Sequence, residues 1–216
     1  MFRVGVILLA GLAALSPRIL AAQPVDRPND DIRVGDRWVY DSKDDITGFP
    51  ISTYTSLVTE VSPKEIVTRV IFKGRSNGFV VFDRDWNRLV IGQQNQKYNP
   101  SDGHGIRWPL AVGKEWRLEF TTSNTQTGVN TKSSSLAKVV AQETVTTLAG
   151  TFETFKIDRQ IKEFNTADPS KYFDEEMFMW FAPQINHWVR RTLIVKQDRR
   201  TISSTTDELI EIARKQ

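Results

Sequence analysis

Two histidines, His104 and His187, are the only imidazoles in this 216-residue chain, so any base working near neutral pH by that route is one of them. A hydroxyl nucleophile would need such a ring beside it and a carboxylate to orient the ring. His104 lies in Asp102-Gly103-His104-Gly105, which makes a Ser/His/Asp arrangement conceivable there. No serine is assigned to a nucleophile elbow, however, and a solvated loop histidine is the preferred reading. The chain has no cysteine, which excludes thiolate catalysis, disulfides and thiolate metal ligands together. With no His-Glu-x-x-His and no clustered histidine pair, a zinc site is not expected either. No cofactor and no catalytic residue is assigned.

The carboxylates are read in the same way. Asp83, Asp85 and Asn87 have the spacing that opens a calcium loop, but Arg88 and Leu89 follow where its glycine and distal glutamate belong. Turn chemistry is preferred. Asp174, Glu175 and Glu176 are consecutive, so on a strand they alternate between faces and make no carboxylate pair. A solvated strand edge is expected for them.

Tryptophan is the unusual resource, with six in the chain, because exposed indoles could form a platform for a sugar ring or an acyl chain. Trp38, Trp116 and Trp180 fit a core by alternation. Trp108, before Pro109, and Trp188, beside His187, Arg190 and Arg191, are less committed to packing. Trp108, His187, Trp188 and Arg190 are therefore the candidate ligand-binding residues, with core packing as the competing use.

The elements that must position these side chains read as strands. From Ile32 onward no 3.6-residue periodicity persists, while short alternating runs rich in Val, Ile, Thr, Phe, Tyr and Trp recur between Gly, Asn, Asp and Pro. Val34, Trp38 and Tyr40 share a face, as do Trp116, Leu118 and Phe120. Phe155, Ile157 and Ile161 do so with Arg159 among them. Met177 to Phe181 is apolar on both faces, as in a central strand covered on two sides. Ser76-Asn77-Gly78 and Leu148-Ala149-Gly150 read as tight hairpins, and Pro183 ends the strand before it. Gln93 to Gly105 lacks a pattern and is expected to be a surface loop.

A repeat organises the chain. Val34-Gly35-Asp36-Arg37-Trp38 returns as Val112-Gly113-Lys114-Glu115-Trp116, Thr47-Gly48 as Thr127-Gly128, and Ser56-Leu57 as Ser135-Leu136. Phe79 to Trp86 corresponds loosely to Met177 to Trp188. This is the pattern of two tandem meanders, residues 34–98 and 112–212, within one domain over residues 32–216.

The N-terminus carries an address. Arg3 precedes the apolar run Val4 to Leu15, and Ala21-Ala22 offers a small residue for cleavage before Gln23. The run of 12 is short of the about 20 residues that a membrane-spanning helix needs. Residues 1–22 read as a cleavable secretory signal and residues 23–31 as a flexible leader, and a periplasmic or secreted location is expected. Cleavage removes Arg3 and Arg18, taking the net charge from +3 to 27 − 26 = +1. That near-neutral balance gives no electrostatic footprint for nucleic acid. Without cysteine there is no lipid anchor of the cysteine-linked kind, so the exported chain is expected to be soluble, neither anchored nor integral to the membrane.

Val145 to Ile157 (VTTLAGTFETFKI) and Trp180 to Arg191 (WFAPQINHWVRR), with the Gly-x-x-Trp starts at Gly35 and Gly113, carry a resemblance over most of the mature chain. The sequence resembles a loosely defined family of exported bacterial β-rich domains of unknown function. It departs from that pattern at Leu148, where relatives often have proline, and near Asn186, where they often have glycine. The resemblance implies a curved antiparallel sheet or half-barrel, like those of periplasmic lipoprotein carriers, with a β-sandwich as the alternative. It implies no catalytic residues. The expected function is non-enzymatic binding of an apolar ligand, a lipid or an envelope partner. A structural module of the envelope and a hydrolase of envelope polymers with unidentified carboxylates are the alternatives.

Overall fold

The computed structural model describes residues 23–28, 32–72, 78–168, 170 and 172–215. The segment read as a secretory signal, and Ser76 and Asn77 of the expected hairpin, lie outside them. Twelve strands form in the order the alternation implies. They are β1 (Arg37–Asp44), β2 (Pro50–Val61), β3 (Glu65–Phe72), β4 (Gly78–Asp83), β5 (Arg88–Ile91) and β6 (Gln96–Asn99). β7 (Glu115–Asn124), β8 (Asn130–Thr147), β9 (Gly150–Asn165), β10 (Tyr172–Ala182), β11 (His187–Gln197) and β12 (Arg200–Ala213) follow. Short 3-10 turns at Gly92–Gln94 and Pro183–Ile185 end on Asn95 and Asn186, both left-handed.

Each strand pairs antiparallel with its neighbours in sequence, and the sheet then closes. β1 pairs with β12 from Arg37 opposite Ala213 to Asp44 opposite Thr205, giving one closed twelve-strand barrel. The all-β reading holds, whereas the half-barrel and the sandwich are corrected. The β1–β12 ladder is extended by Asp36, whose carboxylate accepts from the Lys215 amide (2.7 Å) and from Arg214 Nε (3.0 Å), and closure leaves no edge with unpaired backbone groups. Bulges at Val39/Tyr40, Val58/Glu60, Val139/Ala141 and Trp180/Phe181 supply local bends.

Closure also fixes which faces are wet. Glu115, Arg117 and Glu119 on β7, and Lys132 and Lys138 on β8, point outward and are exposed. A lipid-spanning barrel would present an apolar band there. Met177, Met179 and Phe181 point inward, while Phe178 and Trp180 lie on the outer wall. There the Lys156 ammonium covers both rings, 5.4 and 4.8 Å from their centroids. Trp180 is thus a wall residue rather than a core residue, because no second layer covers β10. Glu176 lies outside against Lys196 (2.6 Å), and Glu175 lies inside. The expected solvated edge does not exist, since a closed sheet has none.

The two ends of the barrel differ. At one end Trp38, Ile66, Ile106, Leu110, Phe155 and Leu209 form a packed floor. The Asp83–Asn87 turn, as expected, is held by the Asp83 carboxylate accepting from the Asp85 and Asn87 amides, both at 2.9 Å. It places Trp86 at φ 64°, a conformation costly for a bulky residue. Packing offsets that cost: Trp86 meets Trp38 edge-on at 5.6 Å. At the other end lie the hairpin tips that carry Ile46, Phe49, Ile51, Phe79, Val129 and Ile202, all exposed, while Leu148 is exposed on a hairpin at the floor end.

The surface loop expected over Gln93 to Gly105 is corrected twice, because Gln96–Asn99 is strand β6 and Ser101 to Leu110 turns inward. Ser101, Asp102, Gly103, Gly105, Ile106 and Leu110 are buried, because the segment folds into the lower barrel. The Ile106 amide donates to the Asp85 carbonyl (2.8 Å) and the Asp102 amide to the Arg88 carbonyl (3.0 Å). A Cβ on Gly105 would lie 2.2 Å from the Asp85 carbonyl oxygen, so only glycine allows this approach. The segment expected as a flexible leader is held at one point: Val25 and Leu110 exchange two backbone hydrogen bonds of 2.8 Å.

The two Gly-x-x-Trp starts make equivalent bonds. Gly35 donates to the Val58 carbonyl and Gly113 to the Val139 carbonyl, at 2.9 and 2.8 Å. In the following hairpins Asp44 and Asn124 each accept from two backbone amides at the tip.

Candidate functional site

Above the floor the barrel interior is not filled, and it divides into two chambers. The first, about 460 Å³, is walled by Tyr54, Val70, Phe72, Val80, Phe82 and Met179. Arg88, His104, His187, Arg191 and Asp207 add polar points to this wall. The chamber runs to the hairpin end, where Ile51, Phe79 and Gln93 line it. Its volume falls within the roughly 300–1,000 Å³ usual for ligand pockets. The second, about 550 Å³, is lined by Tyr98, Thr122, Thr131, Glu163 and Glu175 among others. Arg88 and His104 line both chambers and form the partition between them.

The partition is a buried charge cluster. Arg88 of β5 donates from its backbone amide to Asp102 Oδ1 (2.8 Å), and its guanidinium pairs with Asp102 Oδ2. Burial alone would raise the Asp102 pKa, but the Arg88 charge and the His104 amide hold it below the usual carboxylate range. Burial alone would lower the Arg88 pKa, and Asp102 more than reverses this. His104 is largely enclosed, with its side chain 11% exposed, and not solvated as expected. Burial pushes its pKa well below the ordinary histidine value; the neutral ring can then accept a hydrogen bond at Nδ1 from Arg88 Nη2. Arg159 is also fully buried, with one N–H donated to the Gly105 carbonyl (3.0 Å), and burial pulls its pKa down to about 10.

Among the described residues no catalytic triad forms around either imidazole. Among the described residues no serine hydroxyl hydrogen-bonds to His104 or His187. The letters Gly74-Arg75-Ser76-Asn77-Gly78 spell Gly-x-Ser-x-Gly, but the segment joins two antiparallel strands, β3 and β4. A nucleophile elbow joins a strand to a helix.

The four sequence candidates separate. His187 and Trp188 both line the first chamber. The His187 ring stacks on Trp38 at 4.2 Å, and its Nδ1 lies 2.7 Å from the Tyr40 hydroxyl. Burial lowers its pKa to about 3, so the ring is neutral. Trp188 stacks on Tyr40 at 3.8 Å with the Arg191 guanidinium 4.8 Å from its centroid. Trp108 meets Phe181 edge-on at the floor and lines neither chamber. Arg190 is paired with Glu208 (2.9 Å from Nε) and lies near the outer ring of Trp180. The structure instead brings Arg191, paired with Asp207 at 2.6 Å, to the chamber wall. Arg88, Asp102, Glu163 and Glu175 escaped sequence reading because their partners come from other strands. The one available signal was Arg159 sharing the core face of β9.

The architecture matches solved structures closely enough to decide the fold. A predicted exported protein with a YmcC-like fold from Bacteroides fragilis matches with a TM-score of 0.58 at 14% identity, over 89% of this chain and 100% of that one. This chain has a YmcC-like fold. A predicted lipoprotein from Parabacteroides distasonis matches with a TM-score of 0.53 at 14% identity, over 89% of this chain and 100% of that one. The hypothetical lipoprotein YmcC from Escherichia coli matches with a TM-score of 0.50 at 10% identity, over 82% and 84%. No protein-family model matches the chain, and no curated protein does. At these identities the YmcC-like likeness concerns architecture; function must be argued from the chambers. Two of these YmcC-like relatives are described as lipoproteins, whereas this chain contains no cysteine.

Proposed function

We propose that this protein binds an apolar ligand, an acyl chain or a lipid, in the first chamber of its barrel. The observation that carries the reading is that chamber itself: about 460 Å³ walled by aromatic and aliphatic side chains inside a closed sheet. Side chains just fill a barrel of about eight strands, and the twelve here enclose a wider interior that side chains fill only at the floor. The exposed apolar residues at the hairpin tips, Ile46, Phe49 and Ile51 among them, support entry from that end. Arg191, His104 and His187 give a bound chain polar points for its terminus. The location proposed with this function is periplasmic or secreted, which agrees with the described nature of the structural relatives.

The test is binding of dodecanoate and of dodecanol, followed by tryptophan fluorescence and by native mass spectrometry of protein purified from its own envelope. Both probes are expected to bind, and Val80→Trp, which fills the chamber, is expected to abolish binding while the fold persists by circular dichroism. Full binding by a folded Val80→Trp protein would sink the reading.

A further inference from the structure

We propose that the second chamber is a separate binding site for a primary organic ammonium ion, seated between Glu163 and Glu175. Alternation points both carboxyl groups inward from β9 and β10. The register sets Glu163 opposite Phe173 and Glu175 opposite Ile161, so the two lie on one diagonal of the same inner face. Arg88 is the one basic side chain among the chamber's lining residues, and Asp102 already pairs with it. The remaining charge of the chamber is therefore negative.

An independent observation points to a ligand. Thr122 is only 7% exposed, lines this chamber, and its hydroxyl has no hydrogen-bond partner. The Thr131 hydroxyl, on the same wall, is likewise without one. A buried hydroxyl left unpaired keeps the full cost of its lost hydration, so such groups in a cavity mark where a polar ligand belongs. A primary ammonium carries three N–H donors. Two carboxylates and one threonine hydroxyl match that number, while Phe120 and Leu193 offer an apolar surface to its carbon stem. A metal ion is a poorer match, because no group of three or more acidic or histidine side chains converges among the described residues.

The titratable and charged groups facing this site are Glu163, Glu175, Arg88, Asp102, His104 and Tyr98. Burial, then the neighbouring Glu163, raises the Glu175 pKa to about 7, and burial raises that of Glu163 in the same direction. Bound cation would favour the ionised pair. Binding thus strengthens with pH as Glu175 loses its proton.

This site stands independently of the apolar chamber, and one experiment separates them. The exported chain is titrated with butylammonium chloride, and in parallel with butanol, while its amide NMR spectrum is followed at about pH 6 and about pH 8. Resonances of Thr122, Thr131, Glu163 and Glu175 are expected to move with butylammonium only. Affinity is expected to rise about tenfold between those pH values, the change in the ionised fraction of a group titrating near 7. Glu175→Gln is expected to weaken binding about tenfold and remove the pH dependence, whereas Val80→Trp leaves both unchanged. Equal shifts with butanol, no shift at millimolar butylammonium, or unaltered affinity in a folded Glu175→Gln protein would each overturn the proposal.

Discussion

The Asp102 carboxylate and the Arg88 guanidinium meet inside the barrel, where one buried pair anchors the inserted segment and divides the interior. Asp102 also accepts from two backbone amides, those of Arg88 (2.8 Å) and His104 (3.0 Å). Removing one member of such a pair leaves the other charge buried without compensation. Asp102→Ala is expected to cost about 3–5 kcal/mol in urea denaturation. The double variant Arg88→Met/Asp102→Leu should cost less than Asp102→Ala alone; the reverse order would refute a charge-pair role.

Gly105 is the point where the inserted segment passes closest to the Asp83–Asn87 turn. A methyl group there would strike backbone, which cannot move aside as a side chain would. Gly105→Ala is expected to destabilise by about 1–3 kcal/mol and to raise the hydrogen exchange of the Ile106 amide. A protein as stable as the wild type would show that the segment can shift freely.

Trp188 and Arg190 are near neighbours in sequence that closure sends to different places. Trp188→Ala is expected to weaken dodecanoate binding in the first chamber at least severalfold. Arg190→Ala, which removes a half-buried partner of Glu208 on the outer wall, should leave binding within about twofold and stability within about 1 kcal/mol. Equal losses from both variants would show that the ligand does not sit in the first chamber.

Acid–base behaviour separates His187 from Glu175. The folded pKa of His187, about 3, lies below its ordinary 6.5, so the unfolded chain binds the proton more readily. That contribution to stability is complete above about pH 6.5 and is lost as pH falls toward 3. Glu175 works in the opposite sense. Its folded pKa of about 7 exceeds the ordinary 4.5, so its contribution is present below 4.5 and is lost as pH rises to 7. Melting temperature measured against pH is expected to lose part of its fall between 4.5 and 7 in Glu175→Gln. An identical profile would show that Glu175 is not perturbed in the fold.

Much of the local structure was legible in the sequence because it depends on near neighbours. Period-two alternation placed Trp38, Tyr40, Phe120 and Ile157 on inner faces, and Leu148-Ala149-Gly150 formed the turn its residue types favour, with Gly150 at φ 136°. Alternation also showed that Asp174, Glu175 and Glu176 could not act together. It could not show that Glu175 would meet Glu163, since that neighbour comes from the register of β9 against β10. The patternless stretch Gln93 to Gly105 was read as a surface loop because it has no periodicity. The burial of its second half depends on partners from two other places in the chain, Asn87-Arg88 and Arg159.

By itself, then, the sequence determined strand class, turn positions and the absence of thiol chemistry, since local backbone preference and composition are enough for those. Only the tertiary structure decided closure, the buried segment and the two chambers. A strand's inward face is written in its own residues, but what fills the space it faces depends on strands far away in the chain. Trp188 shows both halves of this: its type made it a candidate, and the pairing of β1 with β12 closes the chamber that it lines.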